Sequence, residues 1–366
     1  MPSAVKRASA SNSIPRTMTA VVYRGPHDLR VEQLEVPRTG PGDLLVRVAV
    51  CGVCPTDIKK IQYGTVAPPR VFGHETSGVI VRTGALVRGF QPGDRVALHH
   101  HVPCLKCHAC RHRAFAQCAT YKRTGITAGF EPAGGGYAEY VRVMPFVLPG
   151  VVKIPAKNSY LEGALLEPVN TVLKAIRRLN LLRGDVVLVA GQGPIGLMFT
   201  RLLALAGVTV LATDLMPARL DRAREFGADH VARGDDPALP ARIERLTKGR
   251  GLDAAVIAVP SDQLVRQMQD LVRGGGQVLL FAHTKRGSTA ALDLTAVCVD
   301  EKDVLGSYSS DLTIQNEVAR LVFGRKLDTR QLVSHEYPLV ETAEAVRVAA
   351  NPTESSLKVI VRQLPG

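Results

Sequence analysis

The 366 residues predict an α/β protein: a β-rich first half followed by a doubly wound parallel sheet. Three observations carry that expectation. Thr19–Tyr23 and Leu44–Val50 are short runs rich in valine, bounded by Pro- and Gly-bearing turns, and read as strands. Further on, the run Asp185–Ala190 meets Gly191-x-Gly193-x-x-Gly196, and a second run, Val208–Thr213, ends in Asp214. Between these regions, four of the seven cysteines crowd together as Cys104, Cys107, Cys110 and Cys118.

Composition narrows the partners. At 46% hydrophobic, the chain is long enough for two domains with real cores, and 33 glycines with 23 prolines favour a loop-rich α/β architecture over a helical bundle. The formal charge of +13 raises nucleic acid as a partner, because clustered cations gain from counterion release on phosphate. Here the cations are dispersed and no reader helix or basic aromatic surface motif accompanies them, so an anionic cofactor and general solubility explain the excess, with no nucleic acid and no membrane as partner. The apolar stretch from Val186 to Ala212 is interrupted by Arg201 and by glycines, so it reads as strand, turn and helix rather than a span. An odd cysteine count without a signal-peptide pattern points to a reducing compartment, the cytoplasm by default. Residues 1–17 are Ser- and Ala-rich, basic at Lys6, Arg7 and Arg16, and free of acids; they read as a disordered tail or a weak transit segment.

The cysteine loop is the strongest chemical signal. Separations of two, two and seven residues let four thiolates wrap one tetrahedral Zn²⁺ in a closed, structural site, a reading favoured over paired disulfides by both spacing and clustering. Lys106, Arg111 and Arg113 balance the surplus negative charge of such a site, or form a solvated basic loop. Upstream stand Cys51-Gly-Val-Cys54-Pro-Thr56-Asp57 and Gly73-His74-Glu75. A thiolate, an imidazole and carboxylates are the ligand types of a catalytic zinc, and ligands drawn from separate segments leave room for an open coordination position.

These motifs, with Gly93-Asp94-Arg95-Val96, Gly135-Gly-Tyr-Ala-Glu-Tyr140, Glu167-Pro168 and the glycine turn at 191–196, resemble the zinc-dependent medium-chain dehydrogenases, in particular their polyol (sorbitol-like) and threonine dehydrogenase branch. The resemblance runs from Met18 to the C-terminus. It implies a GroES-like β-rich catalytic domain over 18–166 and 308–366 and a Rossmann NAD-binding domain over 167–307. It implies Cys54 and His74 as ligands of a catalytic zinc, with Glu75 and Glu167 beside it, and Asp57 as the carboxylate that fixes the His74 tautomer. Cys51 is then a spare core cysteine. Zinc with one thiolate, one neutral imidazole and one carboxylate is neutral and keeps a fourth position open, so only one of the two glutamates is expected to bind directly at a time.

The resemblance makes Thr56 the hydroxyl that receives the substrate proton and Thr171 a neighbour of the nicotinamide. Two departures stand out. Lys59 replaces the histidine of the outer proton relay, and Pro55 stands where some relatives have a phosphate-contacting arginine; Lys59 is expected to pass the proton outward in that histidine's place, to pair with a cofactor phosphate or an anionic substrate group, or to be solvated. In the tract His99-His100-His101, the resemblance points to His101 in the substrate pocket on the threonine dehydrogenase pattern, or to His100 on the alcohol dehydrogenase pattern.

The glycine turn has its own physical reading. Strand before and helix after make Gly191, Gly193 and Gly196, with Pro194 and Ile195 among them, a pyrophosphate-binding turn at a helix N-terminus. Asp214 can accept from both adenosine ribose hydroxyls and repel a 2′-phosphate, which favours NAD over NADP; by resemblance, Arg219 contacts the adenosine side.

Together these imply an NAD-linked alcohol dehydrogenase that oxidises a secondary alcohol, of polyol, sugar-derived or hydroxy-amino-acid type, to a ketone. About two zinc ions per chain, one catalytic and one structural, are expected, in a homodimer or homotetramer. L-Threonine 3-dehydrogenase is the enzymatic alternative. A zinc-stabilised nucleic-acid-binding protein is the non-enzymatic one, disfavoured by Cys54, His74 and Glu75 occurring together with Asp214.

Overall fold

In the computed structural model, residues 14–99, 102–124, 134–282 and 287–364 are described. Apolar alternation lays down the first layer. β1 (Thr17–Gly25) pairs antiparallel with β2 (Asp28–Glu35), and β3 (Leu44–Gly52) leads to α1 (Pro55–Tyr63) and the short β4 (Arg70–Val71) beside β1. β5 (Glu75–Thr83) and β6 (Arg95–Leu98) continue the sheet begun by β3. The cysteine loop follows with α2 (His108–Arg111) and α3 (Ala119–Thr124), after which β7 (Tyr140–Val143) and β8 (Val151–Lys153) rejoin that sheet. Tyr23 and Phe72 meet edge-on in the core of this layer, ring centroids 5.3 Å apart.

The chain then crosses through α4 (Tyr160–Ala164) and α5 (Leu166–Ile176). Ser159 opens α4 with a reciprocal capping box to Glu162, which satisfies two otherwise orphaned N–H groups. Next comes strict βα alternation: β9 (Val186–Ala190), α6 (Pro194–Leu205), β10 (Thr209–Asp214), α7 (Pro217–Glu225), β11 (His230–Arg233) and α8 (Leu239–Thr247). The series closes with β12 (Leu252–Ile257), α9 (Gln263–Leu271), β13 (Val272–Leu280), α10 (Leu294–Cys298) and β14 (Asp303–Gly306). All six strands pair in parallel, in the order β11-β10-β9-β12-β13-β14.

Both faces of this sheet are covered, as a parallel sheet requires. Val187, Val189, Val210 and Val256 enter one core, and Val186, Leu188, Leu211 and Ile257 enter the other. The strand order reverses between β9 and β12, and the carboxyl ends of strands at such a switch point open a ligand crevice.

After α11 (Gln315–Phe323) the chain returns to the first layer. β15 (Val333–Pro338), α12 (Thr342–Ala350) and β16 (Lys358–Arg362) complete it, with β16 antiparallel to β3 and Ile360 opposite Gly52. The order of the seven-stranded sheet is β15-β16-β3-β5-β6-β8, with β7 on β3.

Several sequence boundaries move. β1 begins at Thr17 rather than Thr19, and residues 1–13 of the expected tail lie outside the described residues. β12 ends at Ile257, leaving Val259 in the crevice loop against Gly191. β13 starts at Val272, which pairs with Leu252 ahead of a register shift that the glycine tract 274–276 accommodates. β11 was not anticipated; its four residues are too few for a periodic signal. The apolar stretch 186–212 resolves into β9, α6 and β10, and no described helix is long and apolar enough to cross a membrane.

Candidate active site

The four loop cysteines converge. All their sulfurs lie within 4.8 Å of one another, Cys107 and Cys110 at 3.5 Å and Cys104 and Cys110 at 4.0 Å. Zn–S bonds of about 2.3 Å in a tetrahedron place sulfurs about 3.8 Å apart, so the cluster has the size of a zinc site, whereas a disulfide needs about 2.05 Å. All seven cysteines are free thiols. Backbone N–H groups of Lys106 and Cys107 draw the Cys104 thiol down to about 6, while burial and the adjoining sulfurs push Cys110 up to about 12. Thiols packed this closely share protons, and a cation in their midst replaces them. Residues and spacing therefore fit Zn²⁺.

The second donor set is assembled from four separate segments. Cys54, in extended conformation, is the N-cap of α1: its Sγ accepts from Thr56 N–H at 3.5 Å, and Pro55 at the first helical position lacks the N–H that would be orphaned there. The same first turn carries Thr56 and Asp57. Asp57 is fully buried, and its Oδ1 meets His74 Nδ1 at 3.1 Å, which orients the ring and leaves its other nitrogen available as a donor atom. Burial opposes charge on the ring, but Asp57 and Cys54 on its two sides outweigh it and hold the His74 pKa well above the usual value.

Glu75 opens β5 and is 1% exposed. Lys358 Nζ, from β16, stands 2.6 Å from both of its carboxylate oxygens and also donates to Val53 O at 2.9 Å. A Cβ at Gly52 would fall 1.9 Å from Glu75 Oε2, so glycine is required beneath the carboxylate. Glu167 sits in the first turn of α5, nearly buried; burial raises its pKa to about 7, His74 opposing and Glu75 adding to the shift. One turn on, Thr171 Oγ donates to Pro168 O at 2.8 Å.

One cavity of about 230 Å³ joins these groups. It is lined by Cys54, Thr56, Lys59, His74, Glu75 and Glu167 together with Thr171, Ile195 and the segment Ser307–Ser309. Lys59 is half-buried there, and desolvation lowers its pKa against the pull of Cys54. Asp57 stands behind His74. Cys51 is fully buried, with burial pushing its thiol up to about 12 and Thr76 Oγ 3.4 Å away, which is the core role expected of it. His99 is buried, its Nε2 3.5 Å from Ser310 Oγ. His100 and His101, the two expected pocket histidines, lie outside the described residues.

The glycine turn divides its labour. Gly191 adopts φ +91°, a left-handed conformation that favours glycine, and a Cβ on Gly196 would lie 1.7 Å from Gly191 O. Around Gly193 a Cβ would meet nothing within 4 Å, which leaves the turn open at the N-terminus of α6, headed by Pro194 and Ile195. Asp214, at the end of β10, accepts from Gln192 N–H at 2.6 Å and Met216 N–H at 3.0 Å, tying two crevice loops together. Arg219 lies 3.8 Å from Asp214 and reaches Ser356 O at 3.4 Å, so it is no solvated helix arginine.

Residues 40–156 match the alcohol dehydrogenase GroES-like domain, and residues 194–323 match the zinc-binding dehydrogenase domain. Over 363 residues, 94% of this chain and 98% of its relative, the sequence is 30% identical to erythritol/L-threitol dehydrogenase of Mycolicibacterium smegmatis. The chain belongs to the zinc-containing medium-chain alcohol dehydrogenase family. This medium-chain dehydrogenase is also 28% identical to sorbitol dehydrogenase of Bacillus subtilis over 96% of its own length and 99% of that protein's. A solved zinc-binding dehydrogenase from Sinorhizobium meliloti 1021, bound to NADP, superimposes with a TM-score of 0.84 at 27% identity, covering 94% of this chain and 99% of that one. The chain is thus a zinc-dependent NAD(P) alcohol or polyol dehydrogenase with a four-cysteine structural site, and the nucleic-acid-binding alternative is set aside.

Two features of the dehydrogenase's cleft escaped the sequence reading. The segment Ser307–Ser309 carries no motif. Lys358 did leave a trace: a lysine inside Leu357–Val361, an apolar run, demands a buried acid as partner.

Proposed function

We propose that this dehydrogenase reversibly oxidises a secondary alcohol of the polyol, sugar-derived or hydroxy-amino-acid class to the ketone, with NAD rather than NADP as hydride acceptor. The supporting observation is the single cavity that joins Cys54, His74, Glu167 and Thr56 to Thr171 and Ile195 of the nucleotide half.

The donor set suits zinc, and charge decides which carboxylate serves. Lys358 pairs with Glu75 at 2.6 Å, so Cys54 thiolate and Glu167 are the anionic donors that together would balance a dication, with neutral His74 as third donor. Zinc there supplies a Lewis acid that makes an alcohol more acidic. Asp57 keeps His74 in the tautomer a ligand needs. Thr56 Oγ receives the alcohol proton, and Lys59 in the same cavity leads it outward. A nicotinamide held beside Thr171 and Ile195 would accept the hydride of the carbinol carbon, the chemistry that yields the ketone. Ser307 and Tyr308 offer polar groups for further substrate hydroxyls, which supports a polyol.

On the cofactor side, Gly193 and the α6 N-terminus would hold the pyrophosphate, Asp214 the ribose hydroxyls, and Arg219 the adenosine. Free thiols throughout support a cytoplasmic location. Exposed Leu294 and Val299, beside the open edge strand β14, support assembly as a homodimer or homotetramer.

A panel of polyols, simple secondary alcohols and L-threonine, followed by NADH or NADPH absorbance, tests this reading. Turnover of polyols with NAD favoured about tenfold or more is expected. Failure on every secondary alcohol contradicts it, and preference for L-threonine moves the substrate to the threonine 3-dehydrogenase alternative.

A further inference from the structure

One side chain of the structural-zinc lobe hydrogen-bonds to the wall of the catalytic cleft. Tyr121 lies three residues beyond Cys118, is 3% exposed, and packs its ring directly against Cys110 and Cys118. The sulfurs are the core of that lobe, so the ring's place depends on theirs. Its hydroxyl points out of the lobe and meets Ser309 Oγ, 188 residues further along the chain, at 3.2 Å.

Ser309 is an unusual residue to find there. Its φ of +66° puts a residue with a Cβ in the left-handed region, which persists only where the surroundings over-determine it. It forms the cleft wall with Ser307 and Tyr308, facing Glu167 and Thr171. Each neighbour is anchored in turn: Lys174 Nζ donates to Tyr308 O at 2.8 Å, Ser310 lies 3.5 Å from His99, and Asn170 exchanges two hydrogen bonds with the Asp311 backbone. Those anchors come from α5 and from the end of β6. The bond at Ser309 itself comes from the metal lobe.

We propose that Tyr121 is a positioning residue: it couples the four-cysteine lobe to the cleft by holding Ser309 in its left-handed conformation, and so sets the wall against which substrate and nicotinamide are held. The inference rests on this cleft being the dehydrogenase site, but its primary readout does not require turnover. A lobe remote from the chemistry then contributes to ligand binding as well as to stability.

The test uses the full-length zinc-loaded protein and the variants Tyr121→Phe, Ser309→Ala and the double variant. The chain has no tryptophan, so NADH fluorescence enhancement reports binding without a protein donor. Loss of one neutral hydrogen bond should raise the NADH Kd about three- to tenfold in each single variant. Because both remove the same contact, the double variant should match the singles rather than multiply them. With a turned-over alcohol, KM should rise while kcat stays within about twofold, since no reacting group is touched. Unchanged Kd in either single variant, a multiplicative double, or a fall in kcat at constant KM overturns the proposal. Should Tyr121→Phe shed lobe zinc by metal analysis, Ser309→Ala alone decides, because it leaves the sulfur cluster intact. An NADH effect without turnover of any alcohol leaves this coupling standing and counts against the substrate reading only.

Discussion

Lys358 and Glu75 form a buried ion pair, Nζ 2.6 Å from the carboxylate, that ties the last strand of the chain to the residue following His74. The two side chains are 5% and 1% exposed. The pair closes the seven-stranded sheet, and it also settles charge at the cleft. With Lys358 paired to Glu75, the proposed metal donor set takes Glu167 rather than Glu75.

Removing one member of such a pair strands the other. Lys358→Met is expected to cost about 3–5 kcal/mol in urea unfolding, because Glu75 is left charged or must take up a proton in a site that excludes water. Replacing both, as Lys358→Met with Glu75→Gln, should recover at least half of that loss. Additive costs in the double variant would show that the two groups do not act as a pair.

Two glycines of one motif should respond in opposite ways. Gly193→Ala meets no protein atom and sits at φ −69°, so stability should change by less than about 0.5 kcal/mol. The added methyl occupies the open face of the turn, and the NADH Kd should rise about tenfold or more. Gly196→Ala drives a methyl to 1.7 Å from Gly191 O, a backbone atom, and should cost about 1–3 kcal/mol before cofactor is considered. Thermal unfolding of both variants, with NADH titration, separates these roles; equal destabilisation by both would contradict them.

Asp214 carries structure and specificity together. Asp214→Ala removes the acceptor of Gln192 N–H and Met216 N–H, each worth about 1–3 kcal/mol when left buried and unpaired, so lower stability is expected. It also removes the charge that repels a 2′-phosphate. The ratio of kcat/KM for NAD over that for NADP should fall about tenfold or more, and an unchanged ratio would place cofactor choice elsewhere.

Local patterns were legible in the sequence, and long-range partners were not. β9, the glycine turn and Asp214 fall within some forty residues of one another and obey short-range rules of period and turn chemistry, so they could be read directly. The four loop cysteines are closer still. Glu75 and Lys358 are separated by 283 residues, and Tyr121 and Ser309 by 188. Nothing in either neighbourhood names the other, because these pairings exist only once β16 lies on β3 and the lobe docks on the cleft. The choice between Glu75 and Glu167 stayed open for the same reason: donor types alone do not show which carboxylate pairs at 2.6 Å with a lysine, and Lys358 arrives from the far end of the chain.

The most direct test of the cleft is zinc content per chain in three proteins, measured after dialysis to remove loosely held metal. The wild type should hold about two zinc ions, Glu75→Gln about two, and Glu167→Ala about one, with its alcohol oxidation lost. Retention of about two in Glu167→Ala, with loss of one in Glu75→Gln, would contradict the assignment of Glu167 as the ligand and of Glu75 as the partner of Lys358.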